Sequence, residues 1–479
     1  MAANIAEHVQ NKMTPLPWLR KLQLAIGENA ITTDATELTF FNQDVFAEGA
    51  GLAAVVTPLS IDELQSAIKI LSAHDVVIIP RGGGLSYTNG YLAEDKYAVL
   101  IDTSKLNQLV KLNIENSTVT VEAGMCWGAL NDILLPHGLR TPYWGPLSGL
   151  RSTVGGALSQ CSVFLGSGEH GSVGDTVLSI DIVLADGSIL TTGSAAAANT
   201  APFMRYFGPD LTGLFVGDAG ALGVKVRATL KLIPREKEID FVSAEFDDPV
   251  AMLAAMSAIS RANIASECFS FDPVLLEQRK KRMSLLSDAK TLLNVVKQSG
   301  VMAGLGLVKT GRDFVAADKH SAHVALEGRT AGEVTSKVEL AKKIFAERGT
   351  ATENSFPKAL RALPFSAPNS MLGPAGERWV PVHGIFPHAI AEAAFSTLQA
   401  FFASQQVMLD THHIRVGYLC TTVAQQAVLI EPVFIGVVHG EVAAVLVRGF
   451  ELRGRDFARQ DPRRSEEDDR VADAQFLEA

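Results

Sequence analysis

Three consecutive glycines, Gly82, Gly83 and Gly84, constrain this chain more than any other stretch of its sequence. The run at 76–79 before them is short, β-branched and closed by Pro80, which predicts a buried strand. Because glycine has no Cβ, backbone N–H groups can converge in the following turn, and a bulky anion can approach closely. The loop therefore predicts a nest for a phosphate or pyrophosphate, with Arg81 as a nearby cation. A glycine-rich turn without a ligand is an equal alternative on this stretch alone.

A second stretch of small residues, 145–159, has a similar character. It begins as a loop and is predicted to become a short helix near Thr153, which Ser152 and Thr153 can cap with their hydroxyls. The helix N-terminus is expected to offer free N–H groups to an anion. Gly155 and Gly156 would let a flat ligand lie against the backbone, although a tight helix-to-sheet crossing is the plainer alternative. Two anion-friendly stretches in one domain favour a dinucleotide.

Two further glycine segments differ in what they predict. Gly166–Gly171 matches the G-x-G-x-x-G pattern, but the residues after it, 177–184, predict a strand and not the helix that a Rossmann fingerprint requires. We expect 166–171 to form a mobile surface loop that lies near the bound dinucleotide. The segment 217–224 runs into a predicted strand at 226–232, and its glycines again allow close backbone approach.

Composition and charge narrow the class of protein. The chain has 479 residues, of which 47% are hydrophobic and 20% charged, as in ordinary globular proteins with two or three domains. Its net charge of −10 implies no general affinity for nucleic acid. The cysteines are widely spaced and form no CxxC pair, which argues against a zinc ribbon or a disulfide framework. This cysteine usage favours a reducing, cytoplasmic compartment, and no metal site is predicted. The four are Cys126, Cys161, Cys268 and Cys420.

The remaining patterns predict mixed α and β structure. The N-terminal residues lack the apolar core of a signal peptide, and no apolar run reaches the roughly 20 residues of a membrane span, so we expect neither; peripheral membrane attachment stays open. A strand at 53–56, a helix capped by Ser60 and the strand at 76–79 form a strand–helix–strand unit, which favours parallel pairing. A hairpin is predicted over 109–123. Further on, helical stretches at 250–264, 332–348 and 389–404 alternate with strand candidates at 304–308 and 379–384.

Four ordered motifs carry a resemblance to a known family. They are PRGGGLSYTNG at 80–90, GPLSGLRSTVGGALS at 145–159, VLSIDIVLADG at 177–187 and GDAGALGVKVRATLKLIP at 217–234. Together they resemble the FAD-binding domain of the vanillyl-alcohol oxidase/p-cresol methylhydroxylase (PCMH-type) superfamily, to which D-lactate dehydrogenases and glycolate oxidase flavin subunits belong. The resemblance implies an α+β fold, in which two α+β subdomains bind FAD and an α+β substrate (cap) domain follows. The domains expected are a helical extension at 1–48, the FAD-binding domain at 49–235, the cap at 236–434 and an atypical tail at 435–479.

The resemblance also implies which residues hold FAD. The first loop would hold the pyrophosphate, the second would line the other side, and the last segment would lie along the cofactor. In that order they are Pro80, Arg81, Gly82, Gly83, Gly84, Leu85 and Ser86; Pro146, Gly149, Ser152, Thr153 and Gly156; and Gly220 and Val224. Some relatives attach FAD through a histidine in the first loop, but the matching residue here is Leu85, which has no nucleophile, so non-covalent FAD is expected.

Candidate chemistry residues lie in the second half. Oxidising a 2-hydroxy acid needs a cation for the carboxylate and a base near the hydroxyl, while the flavin accepts the hydride. Arg415 and His383 could fill these roles, with Tyr418 and Glu431 nearby; a hydrogen-bonded core or surface histidine and an ordinary surface ion pair are the competing interpretations. The chain departs from the family in two ways. It lacks the Gly-Asp-Gly-Asn-x-His motif of the glycolate oxidase type, and it has Leu147 where the vanillyl-alcohol branch places a carboxylate.

The sequence leads to one main hypothesis and several alternatives. The first choice is an FAD-dependent oxidoreductase that takes a hydride from a small 2-hydroxy acid of the D-lactate or glycolate type. The alternatives are oxidation of a 4-alkylphenol or aromatic alcohol, a nucleotide-sugar reductase that also binds NADPH, and an inactive FAD-binding protein. The last is favoured by the tail, where the dense charge mixture at 453–470 suggests a frameshift or truncation product that is disordered. The sequence leaves open whether the electron acceptor is oxygen, a quinone or a cytochrome, and whether the chain forms a homo-oligomer.

Overall fold

The computed structural model describes residues 16–44, 47–87, 89–282, 318–365 and 378–436. The chain divides into two compact units. Unit 1 comprises residues 1–163 and 172–235, and unit 2 comprises 164–171 and 236–479. The strand candidate at 304–308 and all but the first two residues of the atypical tail lie outside the described residues.

Both units contain strands and helices. The strands are β1 (Ile31–Thr32), β2 (Ala54–Val56), β3 (Ile78–Arg81), β4 (Val99–Asp102), β5 (Leu109–Asn113), β6 (Thr118–Glu122), β7 (Leu139–Arg140), β8 (Val177–Val183), β9 (Ile189–Thr191), β10 (Val224–Lys231), β11 (Ile233–Pro234), β12 (Glu238–Phe246), β13 (Glu267–Phe271), β14 (His320–Gly328), β15 (Thr350–Thr352), β16 (Arg378–Pro381), β17 (Gly384–Pro387), β18 (Arg415–Val423) and β19 (Ala427–Gly436). The helices are α1 (Pro17–Ile26), α2 (Ala35–Phe41), α3 (Ile61–Ser72), α4 (Trp127–Leu134), α5 (Val154–Ser159), α6 (Ser167–His170), α7 (Val173–Thr176), α8 (Leu211–Leu214), α9 (Pro249–Ala262), α10 (Pro273–Arg282), α11 (Ala331–Ala346), α12 (Ser355–Ala362), α13 (His388–Ser404) and α14 (Gln406–Thr411).

The first sheet of unit 1 has the order β1-β2-β4-β3. The predicted strand–helix–strand unit is present as β2, α3 and β3, and the parallel arrangement is confirmed, but both strands pair with β4 and not with each other. Ser60 caps α3 as expected, because its hydroxyl accepts from the Glu63 N–H at 3.2 Å. The Glu63 carboxylate accepts from the N–H of Leu59. Because α3 buries Leu64, Ile68 and Leu71 against this sheet, β3 is held at the point where the glycine loop begins.

The second sheet of unit 1 has the order β5-β6-β10-β8-β9 and is antiparallel throughout. The predicted hairpin over 109–123 is confirmed as β5 and β6, with Ser117 at a positive φ of 50° in the turn. β10 begins at Val224, so the glycine segment at 217–223 leads directly into the middle strand of the sheet.

Unit 2 is built on one antiparallel sheet with the order β15-β12-β14-β13-β18-β19-β16, and β17 pairs with β19. The helices predicted at 250–264, 332–348 and 389–404 are confirmed as α9, α11 and α13, and α11 packs on β12 and β14. Within the part of the chain that the structure describes, no helix combines the length and the apolar character needed to cross a bilayer.

The segment Phe164–Gly171 corrects an expectation. It was expected to form a mobile surface loop, but it includes helix α6, whose Ser167 and Gly168 are buried in unit 2. The Gly168 N–H donates to the Ser266 carbonyl at 3.0 Å, and the Ser167 carbonyl accepts from Ala424 at 2.8 Å. The glycines are there for close packing: a Cβ on Gly168 would lie 2.6 Å from the Ala265 carbonyl oxygen.

Candidate functional site

The first glycine loop and the second glycine stretch are in direct contact within unit 1. A Cβ on Gly83 would lie 1.9 Å from the carbonyl oxygen of Arg151, and one on Gly82 would lie 2.3 Å from the Thr153 hydroxyl. No side chain fits in either place, so glycine is required by the approach of the two backbones. Two stretches about seventy residues apart in sequence are therefore brought side by side, which the predicted site needs.

The third glycine segment meets the same loop. Gly220 has φ of +83°, and a Cβ there would lie 2.7 Å from Cγ of Pro80. The N–H groups of Gly217 and Ala219 donate at 2.9 Å to the carbonyls of Leu158 and Ser159, at the end of α5. The turn at 217–223 thus touches both the start of the first loop and the helix of the second stretch.

The first loop retains unused donors. Within the described residues, the backbone N–H groups of Gly83, Gly84 and Leu85 make no hydrogen bond to another protein group. Gly84 adopts a left-handed φ of +68°, and all three residues are half-buried. Because no described protein group uses these N–H groups, they are available as donors to an anionic ligand.

Arg81 lies beneath the loop. Its guanidinium is held between aromatic rings, 4.8 Å from the Phe41 centroid and 5.4 Å from that of Tyr91, and the residue is only 6% exposed. Burial raises the pKa of the Tyr91 hydroxyl to about 12, so the neutral phenol faces the cation. A Cβ on Gly84 would lie 2.0 Å from an Arg81 guanidinium nitrogen. The side chain therefore supports the loop from inside the protein, whereas the sequence predicted a cation near the anion.

The N-terminus of α5 also corrects an expectation. Its N–H groups were expected to be free, but Val154 donates to the Met125 carbonyl, Gly155 to that of Ala123, and Gly156 to the capping hydroxyl of Thr153. The first two of these bonds fix α5 against the segment that joins β6 to α4. What the second stretch offers a ligand is its half-buried surface, where the hydroxyls of Ser148 and Ser152 share a 2.6 Å hydrogen bond.

The other predicted cofactor residues fall into two groups. Pro146, Gly149 and Ser86 lie in the two loops, and the Pro146 carbonyl accepts from Gly149 at 3.0 Å. Val224 is 4% exposed and belongs to the hydrophobic core of unit 1. Its side chain is therefore committed to packing, and any ligand contact at that position is left to its backbone.

The candidate chemistry residues of unit 2 do not form one cluster. Arg415 and Tyr418 lie three residues apart on β18, so their side chains project from opposite faces of the sheet. Arg415 pairs with Glu277 at 2.7 Å with both side chains nearly half exposed, whereas Tyr418 is buried against Phe395, with ring centroids 4.9 Å apart. Burial raises the pKa of the Tyr418 hydroxyl far above its ordinary value.

The two remaining candidates lie elsewhere in the same sheet. His383 is exposed in the turn between β16 and β17. Glu431 is half-buried on β19, opposite Leu419 of β18. No described contact joins His383 to Arg415 or Tyr418.

Sequence reasoning missed a buried carboxyl beside these candidates. Asp272 is 4% exposed and begins α10, where its carboxylate accepts from the N–H groups of Leu275 at 2.8 Å and Tyr418 at 2.9 Å. Burial raises its pKa to about 7, although those two bonds and the nearby Arg415 act in the opposite direction. The signal was present: an Asp followed by Pro marks a helix start.

Comparisons with known proteins agree with the geometry of unit 1. A family model described as an FAD binding domain matches residues 52–193. The glycolate oxidase subunit GlcD of Bacillus subtilis (strain 168) is 32% identical over 250 residues, which is 52% of this chain and 51% of that protein. A mitochondrial D-lactate dehydrogenase (cytochrome) of Arabidopsis thaliana is 32% identical over 267 residues, covering 53% of this chain and 45% of that protein. The chain spans about half the length of these curated relatives.

Solved structures share the fold across both units. p-Cresol methylhydroxylase with substrate bound superposes with a TM-score of 0.69 at 15% identity, covering 92% of this chain and 88% of that one. An alkyldihydroxyacetonephosphate synthase gives a TM-score of 0.67 at 16% identity, covering 92% and 80%. At such low identity these likenesses concern the fold, and they agree with the expected α+β class.

Proposed function

Because residues 52–193 match a family model described as an FAD binding domain, we propose that this protein is an FAD-dependent oxidoreductase that takes a hydride from a small 2-hydroxy acid. The observation that supports the cofactor is the contact between Gly83 and Arg151, because it joins the loop that would hold the pyrophosphate to the stretch that would line the other side of the cofactor. The substrate class is supported by the relatives, which are named as a glycolate oxidase subunit and D-lactate dehydrogenases.

In this proposal the loop donors of Gly83, Gly84 and Leu85 bind the pyrophosphate, and Arg81 keeps their backbone in place from below. Bound FAD supplies a ring that accepts a hydride. Ser152, Gly149 and Pro146 line the cofactor on the other side, and Gly220 allows a close approach. Since Leu85 has no nucleophilic atom, the cofactor is held without a covalent bond. Acid precipitation should then release the yellow colour into the supernatant, and colour retained in the pellet would contradict this.

For the substrate we propose two roles that are tested separately, because no described contact joins the two residues: Arg415 binds the carboxylate, and His383 is the candidate base for the hydroxyl proton. Arg415 is supported by its partial exposure, because its pair with Glu277 can exchange for a substrate carboxylate. Replacing Arg415 with Met should raise KM for the hydroxy acid without unfolding the chain, and Lys should restore part of the binding. Arg348→Met, at an exposed position of the same unit, is the control.

Replacing His383 with Gln should lower kcat by about 10²–10⁴-fold, the usual contribution of a general base. His412→Gln, an exposed histidine of the same unit, should leave kcat unchanged. An unchanged rate for the His383 variant would remove it from the mechanism.

The experiment that tests the function is anaerobic mixing of the FAD-loaded protein with D-lactate, glycolate or 4-cresol while the flavin absorbance is followed. We expect bleaching by a 2-hydroxy acid. Bleaching by 4-cresol alone would replace this proposal by the alkylphenol alternative. Bound flavin that none of the three reduces would favour an FAD-binding protein without turnover. Repeating the reduced sample with oxygen, a quinone or cytochrome c would identify the electron acceptor.

A further inference from the structure

An ion pair is buried in the third glycine segment, where neither partner was expected to have a role. The Lys225 ammonium lies 2.6 Å from Oδ1 of Asp218, and each side chain is only 3% exposed. Burial lowers the pKa of the Lys225 ammonium, and Asp218 opposes that shift by hydrogen bond and charge. Taking two charges out of water is costly, so a pair this deep calls for an explanation.

The pair fixes the shape of the turn. The same Oδ1 accepts from the N–H of Gly220 at 3.0 Å. Ala219, which lies between Asp218 and Gly220, adopts a left-handed φ of 51°, which is uncommon for a residue with a Cβ. Lys225 lies on β10, the middle strand of its sheet. The pair thus ties a strained turn to a rigid strand.

The turn so fixed is the one that contacts Pro80 through Gly220 and the end of α5 through Gly217 and Ala219. A change in the shape of this turn would therefore move Gly220 relative to Pro80, where the first loop begins. The second oxygen of Asp218, Oδ2, is buried and has no hydrogen-bond partner within the described residues. A buried carboxylate oxygen is normally satisfied, so an acceptor is left over beside the cofactor loops.

We infer that Asp218, neutralised by Lys225, is a positioning residue of the FAD site: it holds the Gly217–Gly223 turn against Pro80 and keeps an acceptor oxygen for a hydroxyl group of the bound cofactor. The inference rests on the cofactor part of the proposed function and is independent of the substrate.

The test uses the full chain with its flavin removed and compares two double variants. Asp218→Asn with Lys225→Met removes both charges but keeps an oxygen for the Gly220 N–H. Asp218→Ala with Lys225→Met removes that oxygen as well. Single variants are avoided because they leave one buried charge unpaired and are prone to unfold. The control is Asp181→Asn with Arg227→Met, which removes an ion pair between β8 and β10 whose partners are 3.6 Å apart and more exposed.

FAD affinity is measured by flavin fluorescence titration, and the melting temperature of each apoprotein is measured alongside. We expect the Ala/Met variant to bind FAD at least about ten-fold more weakly, the Asn/Met variant to recover most of that loss, and the control pair to match the wild type. A folded Ala/Met apoprotein that binds FAD as tightly as the wild type would overturn the inference. A wild-type chain that binds no FAD would overturn both this inference and the cofactor assignment, whereas absent turnover with normal FAD binding would affect only the proposed substrate.

Discussion

Gly83 lies so close to Arg151 that a Cβ on the glycine would be 1.9 Å from the arginine's carbonyl oxygen. The obstacle is backbone, which cannot rotate away as a long side chain could. The contact fixes the spacing of the two loops, and with it the shape of the surface that the free N–H groups of Gly83 and Gly84 face. Adding one methyl group at Gly83 should therefore weaken the binding of the cofactor.

Gly83→Ala should therefore weaken FAD binding by at least about ten-fold and lower stability by about 1–3 kcal/mol, the usual cost of overpacking. Flavin titration and thermal melting of the apoprotein measure the two effects. Gly332→Ala is the matched control, because a Cβ on Gly332 would have no neighbouring atom within 4 Å and the residue sits in helix α11. Equal FAD affinity in both variants would show that the loop contact is unimportant.

Arg81→Met should lower both the melting temperature and the FAD affinity. The change keeps the length of the side chain but removes the cation from between the Phe41 and Tyr91 rings, and the Gly84 turn loses the group on which it rests. Arg329→Met provides the comparison, since that arginine is 80% exposed and its removal should change stability by no more than about 0.5 kcal/mol. If the Arg81→Met variant bound FAD with wild-type affinity, the contact of the Arg81 guanidinium with the Gly84 turn would not be needed for FAD binding.

Asp272→Asn should change how stability depends on pH. The folded protein holds the Asp272 proton up to a pKa of about 7, above the ordinary value of 3.8, so the carboxyl destabilises the folded state increasingly as pH rises from about 4 to 7. The variant lacks this titration. Its melting temperature relative to the wild type should therefore rise across that window and level off above it. A difference that stays constant from pH 4 to 8 would contradict the raised pKa.

Glu267→Gln should destabilise unit 2. Glu267 is 4% exposed; its carboxylate accepts from the Gly166 N–H at 2.9 Å and pairs with Arg361 at 3.3 Å. Arg361 also pairs with Glu327, and breaking one side of such a buried cluster typically costs about 3–5 kcal/mol. Glu347→Gln, at an exposed position, should have the same melting temperature as the wild type. Limited proteolysis between residues 163 and 172 would show whether the α6 segment detaches first.

The sequence predicted that the glycine stretches meet, because several Cβ-poor segments in one domain have few uses other than close backbone approach. It also placed the main helices of unit 2 correctly, since their apolar residues recur at helical spacing. It could not show which N–H groups are left over. Whether the first turn of α5 is free depends on Met125 and Ala123, which approach it only in the folded chain.

The errors have a common physical cause. Arg81 is charged and stands next to a presumed anion site, but the rings of Phe41 and Tyr91 make an interior position favourable for it. Gly166–Gly171 is rich in glycine, which predicts a loop equally well when the glycines serve tight packing against Ala265. In both cases partners distant in sequence decide the outcome.

Because Phe164–Gly171 belongs to unit 2, the two units cannot be separated by a single cut in the gene. A fragment starting at residue 236 would lack the eight residues that pair with Ser266, Glu267 and Ala424, and it would expose a buried arginine–glutamate cluster in their place. The two halves are thus interleaved in the gene, and recombination between relatives at the obvious midpoint should yield insoluble chimaeras unless this octapeptide travels with the second half.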